Sequence, residues 1–210
     1  MKIILPNQIP VFPLNGVIYF PETNLPLNIF EQRYLDLIND VMKKNKYLGM
    51  IQTKEKQNEV HNIGCLGKIS DYTKIADGRI LVNLTGVSRF EIQNEIPNDK
   101  KYREFEVSYK RFPNDILVQE ASSISTNKFY FFLKKIKKFF IKNGLLLNWK
   151  EFENLQQLQQ INTLAMIAPI SNEEKQKLLE AIKIEDKIDL LIEIIEFYSY
   201  EINSSQDTIQ

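Results

Sequence analysis

Residues 9–35, IPVFPLNGVIYFPETNLPLNIFEQRYL, decide how the rest of the chain is read. Pro10, Pro13, Pro21 and Pro26 divide the stretch, and Pro6 stands just before it. Between the prolines lie Val11-Phe12, the run from Val17 to Phe20, and Leu25 to Leu27, apolar pieces too brief for helices and suited to strands. Proline has no N–H to give a sheet ladder, so these strands are expected at sheet edges or beginning at the proline. The period then changes. Asn28 is a candidate cap for a following turn, with Glu31 three residues on reaching back as a variant of the capping box. Ile29, Phe30, Tyr34, Leu35, Ile38 and Met42 follow near helical spacing, which predicts one amphipathic helix over about 29–44.

Beyond this helix, residues 47–52 read as a strand and 53–62 as a charged loop. Two strand patterns flank the turn dipeptide Asp77-Gly78, which predicts a hairpin. Gly86 interrupts the second of them, a sign of a bulge or sharp bend of the kind that turns the corner of a small barrel. Phe105, Val107 and Tyr109 alternate with polar neighbours, the period of a half-buried strand. Near Pro113 the pattern switches to helical. Phe129, Phe132, Leu133, Ile136, Phe139 and Phe140 form one apolar stripe with lysines around it. Leu155, Leu158, Ile161, Leu164, Ala165 and Ala168 form a second. Ser171 and Glu174 make a capping box for a third helix, and a fourth is expected from about Glu185 to Tyr200. The predicted fold class is α+β: a small pseudo-barrel of about six to seven strands with one inserted helix over 1–113, a helical lobe of about four helices over 114–202, and a disordered polar tail over 203–210.

A run of matching residues gives this outline a family. P-V-F-P-L from Pro10, F-P at Phe20, L-P-L-N-I-F-E-Q-R-Y-L from Leu25 and L-G-M-I from Leu48 resemble, in order and spacing, the opening of the substrate-binding domain of the ATP-dependent Lon proteases. The resemblance continues through G-C-L-G-K-I at Gly64 and D-G-R-I-L-V-N-L-T-G-V-S-R-F at Asp77. It returns at N-T-L-A from Asn162 and P-I-S-N-E-E-K-Q-K-L-L-E from Pro169, and is weakest over 120–154. It implies a PUA-like fold and a role in capturing unfolded or degron-bearing polypeptides, with self-association as a further implied property.

Composition sets the outer limits. The 210 residues hold 27 Lys plus Arg against 27 Asp plus Glu, so no global charge draws the chain to nucleic acid or an anionic membrane. One cysteine, Cys65, excludes an internal disulfide. With no leader-like start, the expectation is a cytoplasmic protein without a membrane span. No metal or other cofactor is expected, because His61 and Cys65 are single residues of their kinds and no carboxylate cluster stands out. Gly64-Cys-Leu-Gly-Lys-Ile-Ser is not a phosphate loop. Two residues rather than four separate its glycines, and a strand pattern follows. His61 and Cys65 lack the third group that would orient a nucleophilic pair. Cys65 reads as a small core residue and His61 as a loop residue. The sequence carries no motif of the ATPase or serine–lysine protease modules of full-length Lon, so no catalytic residue is assigned.

The expected activity is therefore binding. An extended segment would meet the proline-bounded strands, with Tyr19, Phe20, Phe30 and Tyr34 as apolar contacts and Arg33 as a polar anchor. Core packing is the competing role for each aromatic, and a structural role at the helix start competes for Glu31 and Arg33. Two other readings belong to different classes. One is an assembly partner or adaptor that docks on a protease or ATPase through the helices. The other is an RNA-binding PUA-type module using Lys134 to Lys142, against which stands the plain reading of a solvated lysine face.

Overall fold

The computed structural model describes residues 4–54, 59–116 and 124–206. The chain divides into two compact units, Met1–Val118 and Gln119–Gln210. Part of the predicted charged loop (55–58), the residues after the predicted lobe boundary (117–123) and the end of the predicted tail (207–210) lie outside the described residues.

Among the described residues the first unit contains six strands, β1 (Gln8–Leu14), β2 (Asn24–Ile29), β3 (Tyr47–Gln52), β4 (Ile63–Lys74), β5 (Ile80–Ile96) and β6 (Arg103–Ser108), with helix α1 (Gln32–Met42) between β2 and β3. The order is β2-β5-β4-β3-β1-β6, and β6 also pairs with β5. Five strands thus close on themselves, and β2 is added to the outside of the long β5. Closure gives every strand of the ring a neighbour on both flanks, over part of its length.

The prolines of β1 sit inside this ring and not at its edge. β1 pairs antiparallel with β6 over Gln8–Val11 and parallel with β3 over Val11–Leu14. The two ladders are staggered, so at Pro10 only β6 is paired and at Pro13 only β3. Three residues apart, the two ring nitrogens face opposite flanks, and each can face the flank where no partner exists. The stagger removes the conflict that would otherwise drive this strand to an edge. β2 does conform to the expectation: it pairs only with β5, Pro26 opposite Asn83.

Val17 to Phe20 is not a strand. The segment turns inward, and Ile18, Tyr19 and Phe20 are buried. The Thr23 hydroxyl donates to the Phe20 carbonyl (2.7 Å), and the Glu22 and Gly86 amides donate to Gly86 and Thr23 carbonyls (3.0 and 2.9 Å). The predicted irregularity at Gly86 is present: the β4–β5 register shifts between Leu66 and Gly67, leaving Val87 unpaired opposite. Its cause is a close approach. A Cβ on Gly86 would stand 2.2 Å from the Phe20 carbonyl oxygen. The Asp77-Gly78 turn also forms, with Gly78 at φ +91°. Ile9, Val11, Ile51, Leu66, Phe90, Phe105 and Val107 fill the ring, and Cys65 is buried in the strand next to them.

One buried ion pair ties the end of this unit to β5. The Arg89 guanidinium donates to both oxygens of Asp115 (2.8 Å each), the Arg89 amide adds 2.9 Å, and the Phe112 ring lies 4.1 Å under the guanidinium carbon. Asp115 ends a short 3₁₀ turn opened by Pro113.

The second unit is helical: α2 (Thr126–Lys142), α3 (Trp149–Phe152), α4 (Gln157–Ile167), α5 (Asn172–Glu180) and α6 (Ile184–Gln206). The extra element relative to the sequence reading is the four-residue α3, capped by the Asn148 side chain. The α2 stripe packs as its spacing implies, with Phe129, Phe132, Ile136, Phe139 and Phe140 buried. The capping box at Ser171 and Glu174 forms in both directions, and Tyr198 joins it by donating to Glu174 (2.7 Å). α6 continues to Gln206, into the stretch whose composition reads as a disordered tail. Among the described residues no helix is long and apolar enough to cross a membrane, and no group of three or more His, Cys, Asp or Glu side chains is placed to hold a metal ion.

Candidate functional site

A groove of about 520 Å³ opens on the first unit where the end of β1, the end of β2 and the start of α1 meet. Its lining includes Phe12, Leu14, Leu27, Ile29, Phe30 and Tyr34. The size falls within the ~300–1,000 Å³ typical of ligand-binding clefts.

The local sequence explains the shape. β2 pairs with β5 as far as Ile29↔Ile80, so Asn28 is a strand residue and cannot cap the helix. The ladder overrides the capping signal. The cap position falls on Glu31, which is extended (φ −72°, ψ 132°) and makes no side-chain cap bond. Its carboxylate instead accepts from Arg33 (3.0 Å from Nε, 2.9 Å from the terminal nitrogen). Between strand and helix Phe30 is left over, its ring 67% exposed at the groove. α1 then buries Tyr34, Leu37, Ile38 and Val41 against the barrel.

Tyr34 forms the floor. Its ring stacks on Phe12 at 3.9 Å between centroids with 25° between planes, and the Arg33 guanidinium carbon lies 4.5 Å from its other side. Burial pushes the Tyr34 phenol above its ordinary value, the Arg33 charge pulls it back, and Glu31 adds to the rise. The phenol is therefore a neutral hydrogen-bonding group at neutral pH. Arg103 also borders the groove, its guanidinium donating two hydrogen bonds to the Glu95 carboxylate (2.7 Å each) and lying over Phe105. Both arginines at the rim are thus neutralised in place. The groove is apolar in its floor and carries paired charges at its border.

Of the residues singled out from sequence, the structure brings Phe30, Arg33 and Tyr34 together here. Tyr19 and Phe20 are elsewhere: they are 2% and 0% exposed, in the inward-turning segment that meets Gly86, and burial drives the Tyr19 phenol far up. Phe12, Leu14, Leu27 and Ile29 escaped notice because they read as ordinary strand positions. Arg103 is seventy residues from Arg33 and only the barrel's closure brings it near. The lone His61 is half-buried, its amide bonded to the Gln52 carbonyl (2.9 Å), and Cys65 is a buried thiol that donates to the Leu66 carbonyl (3.7 Å).

The fold and groove define a class: a closed five-strand barrel with an added edge strand, an inserted helix and an apolar cleft between them, followed in sequence by helices. Residues 8–196 match the family described as the ATP-dependent protease La (LON) substrate-binding domain, and the chain belongs to that family. It is 27% identical over 197 residues to the Lon protease of Buchnera aphidicola subsp. Schizaphis graminum, covering 90% of this chain and 25% of that protein. Against the Flavobacterium johnsoniae Lon protease it is 30% identical over 104 residues, 47% of this chain and 13% of the relative. The chain spans about a quarter of the length of the first of these curated relatives. Among solved structures, a Lon N-terminal domain protein from Xanthomonas campestris superposes with a TM-score of 0.66 at 20% identity, covering 88% of this chain and 96% of the other. The N-terminal domain of Mycobacterium avium complex Lon protease gives 0.64 at 16% identity, covering 90% and 98%. These two show the shared fold.

Proposed function

We propose that the first unit is a non-catalytic receptor for unfolded or degron-bearing polypeptide segments, taken up in extended form along β2 and into the groove beside it. The observation that carries this reading is Phe30, a large apolar side chain held in solvent at the mouth of an apolar cleft, beside a strand paired on one side only. An exposed strand edge offers main-chain hydrogen bonds regardless of sequence, and the cleft takes a side chain. The neutralised rim suits this role, because fixed unpaired charge would restrict which segments enter. The family's description as a substrate-binding domain supports the same reading.

The test is a fluorescence-anisotropy titration of labelled, reduced and carboxymethylated polypeptides with the intact chain. Saturable binding that an unlabelled unfolded chain displaces, and a folded protein does not, is the expected result. Absence of saturation up to the solubility limit would overturn the reading.

A further inference from the structure

The second unit carries a separate groove of about 280 Å³ between α2 and α3, lined by Tyr130, Leu133, Lys134, Lys137, Trp149 and Phe152, with Glu153 at one end. On α2, Tyr130, Lys134, Lys137 and Ile141 recur at i, i+4, i+7 and i+11, so they form one line down the helix. Tyr130 and Ile141, at its two ends, are 63% and 65% exposed. Two apolar ends with two lysines between them is not the pattern of a helix face evolved only for solvation.

Charge decides what fits. α2 contains six lysines and no carboxylate. Four of the six have partners: Lys128 pairs with Asp189, Lys135 with Glu196, Lys137 reaches Glu153 at 3.9 Å while lying over the Trp149 ring, and Lys142 donates to the Ser199 carbonyl. Among the described residues Lys134 and Lys138, one turn apart, form no ion pair. Lys134 lines the groove and Lys138 follows one turn along α2, outside the lining; an apolar cleft with these two uncommitted cations matches a short acidic segment with an apolar anchor. The two cations match a nucleic-acid backbone poorly, since that needs a longer row of free cations.

We infer that this groove docks an acidic segment of a partner protein, its leucine or aromatic anchor seated among Tyr130, Leu133, Trp149 and Phe152 and its carboxylates on Lys134 and Lys138. This interaction is independent of polypeptide capture by the first unit. It gives the chain one surface for clients and another for a dedicated partner.

Trp149 is the chain's single tryptophan, so its emission reports on the groove directly. The probe is a short synthetic peptide of aspartates around a leucine pair. Its lysine-for-aspartate counterpart and a uridine-rich single-stranded RNA serve as comparators. The expected result is a saturable change in Trp149 emission with the acidic peptide alone, weaker at higher salt, and reduced at least ~tenfold, about 1.4 kcal/mol, in a Lys134→Glu, Lys138→Glu variant. Both lysines are exposed on a helix and glutamate has similar helix propensity, so circular dichroism should show the variant folded. Phe30→Ala should leave the acidic peptide's binding unchanged. No saturable change, an equal response to the lysine counterpart, tighter binding of the RNA through the same two lysines, or loss of acidic-peptide binding in Phe30→Ala would each overturn the inference. Because the second unit is read by Trp149 and the first by unfolded polypeptide, failure at one leaves the other readable.

Discussion

The Tyr34 ring lies 3.9 Å from that of Phe12, nearly parallel to it, and this stack joins α1 to β1 at the floor of the groove. Phe12 is a strand residue of the closed ring and Tyr34 the first buried residue of the helix. Stacked pairs contribute about 0.5–1.5 kcal/mol beyond the area they bury. The contact therefore anchors the first turn of α1 on β1, close in sequence to Phe30 and Arg33.

From this follows an ordering of substitutions at the groove. Phe30→Ala removes an exposed anchor, so the midpoint of thermal unfolding should stay within a few degrees while affinity for unfolded polypeptide falls about tenfold or more. Arg33→Ala should cost less than threefold, because the guanidinium is half exposed and already paired with Glu31. Tyr34→Ala should lower both stability and affinity. Parallel melting and anisotropy titrations distinguish the three.

Asp115→Ala should destabilise the first unit by roughly 3–5 kcal/mol, the cost of leaving a buried guanidinium without its carboxylate. Replacing both members, Arg89→Met with Asp115→Leu, should recover most of the loss, since no charge is then left buried. Urea unfolding curves of the single and double variants test this. A double variant as unstable as the single would show that Arg89 matters through its packing on Phe112 and not through charge.

Gly86→Ala should be among the most damaging small changes, near or above the upper end of the ~1–3 kcal/mol typical of overpacking. The obstacle is main chain, the Phe20 carbonyl oxygen, which cannot rotate aside as a side chain would. Gly78→Ala is the contrast: nothing lies near its Cβ, and the cost there is only that of a positive φ for a residue with a side chain. Chemical denaturation of both variants gives the comparison.

Much of this architecture is legible because its signals are local. The strand at Tyr47–Gln52, the turn at Asp77-Gly78 and the Ser171–Glu174 cap depend on neighbours within a few residues, and all are present. What the sequence conceals is set by distant partners. Pro10 and Pro13 suggest an edge, yet the staggered ladders to β6 and β3 place them in the ring. Asn28 has the chemistry of a cap, but Val82, Leu81 and Ile80 of β5 hold that segment in a strand through Ile29. Tyr19 and Phe20 read like exposed contacts, but distant glycines of the barrel receive them: Gly67 lies against the Tyr19 ring and Gly86 against the Phe20 carbonyl. The groove was half visible: Phe30, Arg33 and Tyr34 follow from one motif, whereas Arg103 reaches it only through the pairing of β6 with β1.

Alkaline conditions should weaken the first unit through Tyr102. Its hydroxyl donates to Asp40 (2.8 Å), and burial first, then the Asp40 bond, pushes its pKa to about 12 from 10.0. The folded state thus holds the phenolic proton more tightly than the unfolded chain does. Its contribution is complete below pH 10 and is lost as the pH rises toward 12. Tyr109, donating to the Pro6 carbonyl and also shifted upward by burial, acts in the same direction. Stability measured against pH should fall less steeply over this interval in Tyr102→Phe than in the unaltered protein.

The most direct test of polypeptide capture is a residue-resolved map of where an unfolded chain touches. In an amide chemical-shift titration of the isotope-labelled protein with a carboxymethylated polypeptide, the amides of Leu27 to Arg33, with Phe12 and Leu14, should shift together and saturate with a single affinity. Shifts that gather on any other face, with this group unmoved at saturation, would contradict the account.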